Sequence, residues 1–240
     1  MNVIKATHTK PDSDNQISFE CEVQVENQTK STIELIRTSS LLVNSKGVVL
    51  DGGQDDETEV YMEEGEKADF SLPIPYWVNA NLFEKKNLKK VRVIVDALMF
   101  RRDFFNLGEI NVPADDNAPA ILEAGIKLGE KLKIYGASIM REKPEDGEVR
   151  VTTTIAIRNE GETHFEKAIV KVSLIDAHGA EIDQSEDYNS LPPKSARILT
   201  PAFWGVKTGK LKNCKVKLTL FVFQPVFAES TSFETSLVDN

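Results

Sequence analysis

The acidic run after Leu50 is the part of the sequence whose residue types could bind a metal ion. Several carboxylates within one loop could surround a hard cation such as Ca²⁺, which prefers oxygen ligands. The candidate ligands are Asp51, Asp55, Asp56, Glu57 and Glu59. Their spacing fits no EF-hand loop, which needs glycine at its sixth position and glutamate at its twelfth. We therefore expect a solvated loop, with Ca²⁺ binding as the alternative.

Other signs of catalysis are absent from the sequence. The three histidines, His8, His164 and His178, lack the spacing to a second histidine or to a cysteine that a zinc site requires. No nucleophile elbow, phosphate-binding glycine loop or dinucleotide fingerprint occurs. We therefore expect no enzyme, no cofactor and no metal. An enzyme that uses the carboxylates of residues 51–59 with a divalent ion is the alternative.

Two pairs of adjacent aromatic residues could form a binding platform. They are Tyr76-Trp77 and Phe203-Trp204. Neighbouring residues of a strand point to opposite faces of the sheet, so one member of each pair could lie outward and bind carbohydrate or peptide. A tryptophan in the core is the more common arrangement in a β-sandwich. We expect core positions, with a binding surface as the alternative.

A third aromatic cluster lies beside two arginines and is expected at the tip of a hairpin. Its members are Phe100, Arg101, Arg102, Phe104 and Phe105. Aromatic residues and arginine are enriched in the cores of protein interfaces. The cluster is therefore a candidate contact patch, although core residues beside a turn are the simpler interpretation.

Charged residues suggest how two molecules could associate. Residues 51–69 contain nine acidic residues and one basic residue, whereas Lys85, Lys86, Lys89 and Lys90 form a basic run before the predicted hairpin. The acidic loop of one molecule could dock on the basic run of another, or on a partner protein. Exposed ion pairs contribute only ~0–1 kcal/mol each, so solvated surface charge is the alternative.

An internal repeat indicates the architecture that positions these residues. Residues 17–50 align without a gap with residues 149–182, and Asn27 then matches Asn159. Alternating apolar residues bounded by turn residues predict antiparallel strands in both halves. The predicted fold is all-β, with two tandem immunoglobulin-like, or fibronectin-III-like, β-sandwich domains that arose by duplication.

The predicted boundaries follow from the same alignment. Domain one spans residues 1–112, a connector spans 113–130, and domain two spans 131–240. The connector is expected either to contain one helical turn or to continue into a long first strand. Each domain is expected to end in a hairpin, over residues 91–112 and 214–238.

Part of each repeat resembles a known family. The segment VSLID at residues 172–176, followed by AHG and by LPPKSA at 191–196, resembles FxLYD-type prokaryotic β-sandwich domains. Val172 stands where that family has phenylalanine, and Ile175 where it has tyrosine. The first repeat contains the related segment SLLVN at 40–44. The resemblance implies a β-sandwich of a type that is commonly extracytoplasmic and non-enzymatic.

Composition excludes several classes of function. The net charge of -9 argues against non-specific nucleic-acid binding, which requires a basic face. No apolar run approaches the roughly 18 residues that span a bilayer, so we expect no membrane insertion. No hydrophobic targeting segment precedes the first strand, which predicts a cytoplasmic protein, or an extracytoplasmic one if a signal has been removed. Cys21 and Cys214 are expected to be buried thiols.

The predicted function is therefore a non-catalytic protein-protein interaction or structural module, as a subunit of a larger assembly. Its partner would be another protein or a second copy of the chain. The alternative is an extracytoplasmic carbohydrate-binding or peptide-binding module that uses the tryptophan pairs.

Overall fold

The described part of the chain is β-structure. The computed structural model describes residues 1–8, 12–44, 46–52, 56–73, 78–79, 90–122 and 125–236. Within these ranges every regular element is a strand except one turn of 3-10 helix at Thr208–Lys210, and no helix there has the length and apolar character needed to cross a bilayer. The all-β prediction is confirmed.

The chain divides into two compact units. Unit 1 comprises residues 1–101 and 225–240, and unit 2 comprises residues 102–224. The divisions therefore lie at 101 and 224, whereas the sequence placed them at 112 and 131. Each division falls inside a long strand, so each of these two strands begins in one unit and ends in the other.

Unit 1 contains two main sheets around one core. Its strands are β1 (Asn2–His8), β2 (Gln16–Ile17), β3 (Phe19–Glu26), β4 (Ile33–Asn44), β5 (Val49–Gly52), β6 (Asp56–Met62), β7 (Lys67–Pro73), β8 (Val78–Asn79), the first part of β9 (Lys90–Asn111) and the second part of β18 (Lys215–Ser236). One sheet has the order β1-β3-β7, and in the other β4 pairs with β9, β5 and β6. Strand β3 alternates as predicted, because Cys21, Val23 and Val25 are buried in the core.

Unit 2 has a similar pair of sheets. Its strands are the second part of β9, then β10 (Pro119–Leu122), β11 (Ile126–Leu128), β12 (Leu132–Arg141), β13 (Glu148–Asn159), β14 (Phe165–Ile175), β15 (Glu181–Leu191), β16 (Ala196–Leu199), β17 (Ala202–Lys207) and the first part of β18 (Lys215–Ser236). One sheet has the order β10-β12-β13-β16, with β11 on β12 and β17 on β13. The other has the order β15-β14-β18-β9. Their inner faces form one hydrophobic cluster.

The two predicted hairpins are wrong, because each is a single strand. Strands β9 and β18 are 22 residues long, and β9 pairs with β4 without interruption from Val91 to Phe100. Residues 100–105 contain no glycine, proline or asparagine, and none of them has a positive φ. A tight hairpin turn needs such residues, so the chain stays extended.

The predicted connector also differs from expectation. The described residues of this segment, 113–122 and 125–130, contain no helical turn but the short strands β10 and β11. Strand β10 pairs with β12 from Pro119 opposite Met140 to Leu122 opposite Ala137. The segment is thus an integral part of the first sheet of unit 2.

Glycines occupy the turns that follow β4 and β14. Gly47 and Gly179 have φ values of +77° and +85°, which suit glycine because it lacks a Cβ atom. Before each turn, the Oδ1 atom of Asn44 or Asp176 accepts hydrogen bonds from the backbone N–H groups two and four residues further along. The bond from Ala180 is the main reason that the pKa of Asp176 is lowered.

At one end of each unit, the side chain of a fully buried asparagine links the two main sheets by hydrogen bonds. Asn27, at the end of the β3 segment, donates from Nδ2 to the carbonyl oxygens of Ser31 and Met62, each at 2.9 Å. Its Oδ1 accepts from the N–H of Thr29. Ser31 precedes β4, whereas Met62 ends β6, so one side chain joins the turn after β3 to the opposite sheet.

Asn159 makes the corresponding bonds in unit 2. Its Nδ2 donates to the carbonyl oxygens of Thr163 at 2.7 Å, Leu191 at 3.0 Å and Pro192 at 3.1 Å. Its Oδ1 accepts from the N–H of Gly161 at 3.0 Å. Asn159 ends β13 and Leu191 ends β15, so this side chain also links two sheets.

Substitution of Asn159 should destabilise unit 2 strongly. Asn159→Ala would leave buried carbonyl oxygens and an N–H without partners, at a cost on the order of 3 kcal/mol. Asn159→Asp should also destabilise, because an ionised carboxylate keeps the shape but cannot donate. Urea unfolding followed by circular dichroism measures both, with the exposed Asn189→Ala as the matched control within about 0.5 kcal/mol of wild type. Equal stabilities for Asn159→Ala and Asn189→Ala would contradict this role.

Fragments of the chain should show whether residues 102–224 or residues 131–240 form a unit that folds on its own. Residues 102–224 contain all of unit 2, whereas residues 131–240 lack the second part of β9, including the core residues Leu107 and Ile110. Val112 N–H also donates to the Cys214 oxygen at 2.9 Å beside this strand. We expect cooperative unfolding of 102–224 in urea and a shallow or absent transition for 131–240. A fragment 131–240 as stable as 102–224 would favour the boundaries expected from the repeat.

Candidate binding surfaces

Three of the acidic residues proposed as cation ligands have described side chains, and these lie along one strand. Asp55 lies outside the described residues, and of Asp51 only the backbone is described. Asp56, Glu57 and Glu59 lie along β6, where neighbouring side chains point to opposite faces. Glu57 pairs with Arg37 of β4, with 2.6 Å between Oε1 and Nη2. Within the described ranges, no three His, Cys, Asp or Glu side chains gather as metal ligands would.

Both cysteines are buried, as predicted, and one lies in each unit. Burial, with a smaller contribution from the charge of Glu22, raises the pKa of the Cys21 thiol to about 11. Burial also raises the pKa of Cys214, with a smaller contribution from Asp176. Neutral thiols are poor nucleophiles, so neither residue is prepared for covalent catalysis.

The predicted basic run can be placed only in part. Lys85, Lys86 and Lys89 lie outside the described residues, and Lys90 opens β9 with only its backbone described. At the corresponding place of the second repeat, Lys215 is exposed and pairs with Glu109 of β9 at 3.3 Å. The charge of Lys215 is therefore partly neutralised within its own sheet.

The five residues of the Phe/Arg cluster separate along β9. Phe100 is fully buried in unit 1, and Phe105 packs against the core of unit 2. Arg101, Arg102 and Phe104 are exposed, and the Phe104 side chain has 60% of its surface accessible. The cluster is thus not a hairpin tip, and its surface part in unit 2 consists of Arg102 and Phe104.

Phe104 is the first of three aromatic residues and one isoleucine that lie side by side on the outer face of the sheet β15-β14-β18-β9 in unit 2, and Arg102 lies beside them. We call these four residues the aromatic row. The row consists of Phe104 of β9, Phe221 of β18, Ile169 of β14 and Tyr188 of β15. The Phe104 and Phe221 rings are 5.5 Å apart, centroid to centroid, and tilted by 59°. Ile169 is the ladder partner of both Phe221 and Tyr188. Tyr188 is 62% exposed, so both ends of the row face solvent.

Two cations flank the aromatic row. The Arg102 guanidinium lies 5.2 Å from the centroid of the Phe221 ring, and the Lys167 ammonium lies 5.4 Å from that of Tyr188. Such contacts orient the positive groups beside the rings and hold them at the surface. The arrangement combines apolar area with positive charge.

Sequence reasoning missed three members of the row. Phe221 stands in the outward register of β18, between the buried residues Leu220 and Val222, and that alternation was the available signal. Tyr188 and Ile169 carry no local signal, because only strand pairing brings them beside Phe221. The row therefore depends on how the four strands pair, and the sequence of any one strand does not show it.

The same positions in unit 1 hold charged residues. The repeat alignment matches Ile169 with Arg37, and residues 88–100 align in the same way with 211–223, so that Phe221 matches Leu98. Arg37 is the ladder partner of both Leu98 and Glu57. Unit 1 therefore has the row Glu57, Arg37, Leu98, with an ion pair where unit 2 has Tyr188 beside Ile169.

A second surface lies on the outer face of the other sheet of unit 2. Phe203 is buried, as expected, but Trp204 is 67% exposed. The Arg150 guanidinium lies 3.8 Å from the centroid of a Trp204 ring, and Nη1 of Arg150 lies 3.5 Å from Oε1 of Glu142. The other predicted pair, Tyr76-Trp77, lies outside the described residues.

A β-bulge explains why Trp204 points outward. The register between β13 and β17 shifts between Val149 and Val151. Phe203 and Val206 are both buried, so two consecutive residues, Trp204 and Gly205, lie outside between them. Gly205 has a φ of +65°, and an added Cβ atom would lie 3.2 Å from the Glu148 carboxylate. The glycine thus permits the bulge that presents the indole.

Comparison with known proteins identifies no family. No family model matches the chain, and no curated protein matches it. Among solved structures, pT26-6p gives a TM-score of 0.26 at 4% identity, covering 92% of this chain and 66% of that one. Red sea bream transglutaminase gives 0.24 at 9% identity, covering 97% of this chain and 31% of that one. The chain spans less than two thirds of either structure, and likeness at this level carries no functional conclusion.

The buried thiols generate a prediction about reactivity. At pH 8 a thiol with a pKa of about 11 contains about 100-fold less thiolate than one with the ordinary value of 9.0. In the Cys214→Ala variant, Cys21 should therefore react with a disulfide reagent at least 100-fold more slowly in the folded protein than in urea. The rate should rise with pH towards 11. A fast, pH-independent reaction in the folded protein would contradict the burial of Cys21.

Proposed function

We propose that the chain is a non-catalytic protein-protein interaction or structural module, and that the aromatic row of unit 2 is its docking surface. The supporting observation is the row itself, in which the exposed rings of Phe104 and Tyr188 are joined through Phe221 and Ile169 and flanked by cations. Aromatic residues and arginine dominate the binding energy of protein interfaces.

The chemistry of the row favours an acidic protein surface as its partner. A ring that loses water on binding contributes through its apolar area, and the adjacent Arg102 and Lys167 would meet carboxylates of the partner. Single exposed apolar residues are ordinary on protein surfaces, but a contiguous row marks an interaction site. Charge thereby selects the partner, while the rings supply affinity.

A second copy of the chain meets this description. Unit 1 carries 12 basic and 20 acidic residues and unit 2 carries 17 and 18, which together make the 29 and 38 of the whole chain. The acidic face of one molecule could therefore bind the row of another, as a head-to-tail contact that builds an assembly. A different acidic protein would satisfy the same chemistry.

We further propose that the units are immunoglobulin-like sandwiches derived from one duplicated ancestor. Support comes from matched details beyond the sequence repeat. Asn27 and Asn159 make the same set of bonds. The aligned residues Phe100 and Phe223 are both buried. The resemblance to FxLYD-type domains stays a prediction.

Transplanting the unit 1 row into unit 2 tests the docking surface. The double variant Ile169→Arg with Tyr188→Glu copies the Arg37–Glu57 pair onto the same ladder positions, so the fold should persist while the row is lost. We expect wild type to bind a protein partner or itself, and the variant to bind at least roughly 30-fold more weakly. Cross-linking in a native lysate with mass spectrometry identifies the partner, and sedimentation velocity at low salt measures self-association.

The matched control for this experiment is Tyr61→Ala in unit 1, which removes an aromatic residue that is 69% exposed away from the row. It should bind as wild type does. The proposal fails if the transplanted variant and Tyr61→Ala retain the same proteins with equal affinity. It also fails if wild type remains monomeric and retains no protein that the transplanted variant loses.

A further inference from the structure

We propose that Trp204 and the cleft beside it form a binding subsite for a neutral carbohydrate, with a pyranose ring stacked on the indole. This site lies on the sheet that contains β12, β13 and β17, and it does not involve any residue of the aromatic row. The inference is therefore independent of the proposed docking surface.

The indole is exposed on one face and supported on the other. Arg150 stacks on it at 3.8 Å and is itself the less exposed partner, with 35% of its side chain accessible against 67% of Trp204. The guanidinium therefore covers one face of the ring, and the accessible surface of Trp204 includes the opposite face. That flat apolar face suits the C–H face of a sugar ring.

Two contacts orient the guanidinium against the ring. Arg150 stacks on the indole and pairs with Glu142 at 3.5 Å, and its buried Nε makes no hydrogen bond within the described structure. Gly205, with a φ of +65°, follows the indole at the bulge. A side chain that is already ordered loses little conformational entropy when a ligand binds.

Glu142, the ion-pair partner of Arg150, also lines a polar cleft of the same unit. The cleft has a volume of about 600 Å³ and is lined by Asn117, Met140, Glu142, Lys143, Pro144 and Glu145. Its amide, carboxylate and ammonium groups include both donors and acceptors, as a polyhydroxyl ligand requires. The site thus pairs an aromatic surface with groups that can bind hydroxyls.

The charges of the site favour a neutral ligand. Glu142, Glu145 and Glu148, whose carboxylate lies beside Gly205, outnumber Lys143 and Arg150, so the surroundings do not attract an anion. A nucleotide would also stack on an indole, but its phosphates need an excess of cations that the cleft does not have. A neutral pyranose uses the ring and the hydrogen-bonding groups without a net charge.

Titration with defined oligosaccharides tests the site in the full chain. The probes are cellohexaose and chitohexaose, which are neutral and have flat rings, and a heparin hexasaccharide as the anionic comparison. The chain contains two tryptophans, so a ¹⁵N-labelled sample gives two indole N–H signals, and Trp204→Phe assigns one of them. We expect at least one neutral probe to shift the Trp204 signal alone, with a dissociation constant of about 1 mM or tighter.

Variants show whether the platform carries the binding. Trp204→Ala should weaken binding at least tenfold, Trp204→Phe less, and Arg150→Ala should weaken it because the indole loses its support. Tyr61→Ala, which removes an exposed aromatic residue of unit 1 that belongs to neither surface, should bind as wild type does. Unfolding midpoints measured for each variant separate loss of binding from loss of fold.

Three results would overturn the inference. They are no shift of the Trp204 signal with either neutral probe at millimolar concentration, equal shifts of both indoles, and a preference for the heparin probe. Binding that survives in folded Trp204→Ala would overturn it as well.

Discussion

The buried asparagine at one end of each unit is the interaction on which the arrangement of its sheets depends. Contacts between two apolar sheet faces are non-directional, so the hydrophobic effect alone would allow several relative positions. Hydrogen bonds from Asn27 to Met62, and from Asn159 to Leu191, have fixed lengths and join strands of opposite sheets. Because these amides are fully buried, any sliding of one sheet would leave polar groups without partners. The asparagines therefore select one packing from those that the cores permit.

Fixed sheets make the outer faces available for function. Strand alternation assigns every second residue to the core, and the residues between them can change with little cost to folding. In unit 2 one outer face presents the aromatic row, and the other presents Trp204 at a bulge. Neither surface needs a long loop, so its side chains are held by ladder hydrogen bonds and can bind with little ordering.

Local features of the chain could be predicted from the sequence, and long-range ones could not. The all-β class, the glycine turns at Gly47 and Gly179, and the buried cysteines follow from alternation and turn chemistry. The course of β9 and β18 does not, because proximity in sequence suggested a return of the chain at Arg101 and Arg102, whereas pairing with distant strands keeps it extended. For the same reason Phe104 could be named as a contact residue, but Phe221, Ile169 and Tyr188 could not be joined to it. The outward position of Trp204 needed the bulge, which appears only in the pairing of β13 with β17.

The corresponding residues of unit 1 indicate that the fold of unit 2 does not require the aromatic row. Unit 1 places Glu57 and Arg37 at the same ladder positions, where their ion pair keeps the outer face soluble. A sheet of this geometry can therefore be built with charged residues there, and exposed rings increase the tendency to aggregate. Tyr188 and Ile169 nevertheless occupy those positions, and Lys167 and Arg102 lie beside the rings. In the proposed function, cations on the same face would repel another copy of that face, so that the row would bind an acidic partner rather than itself.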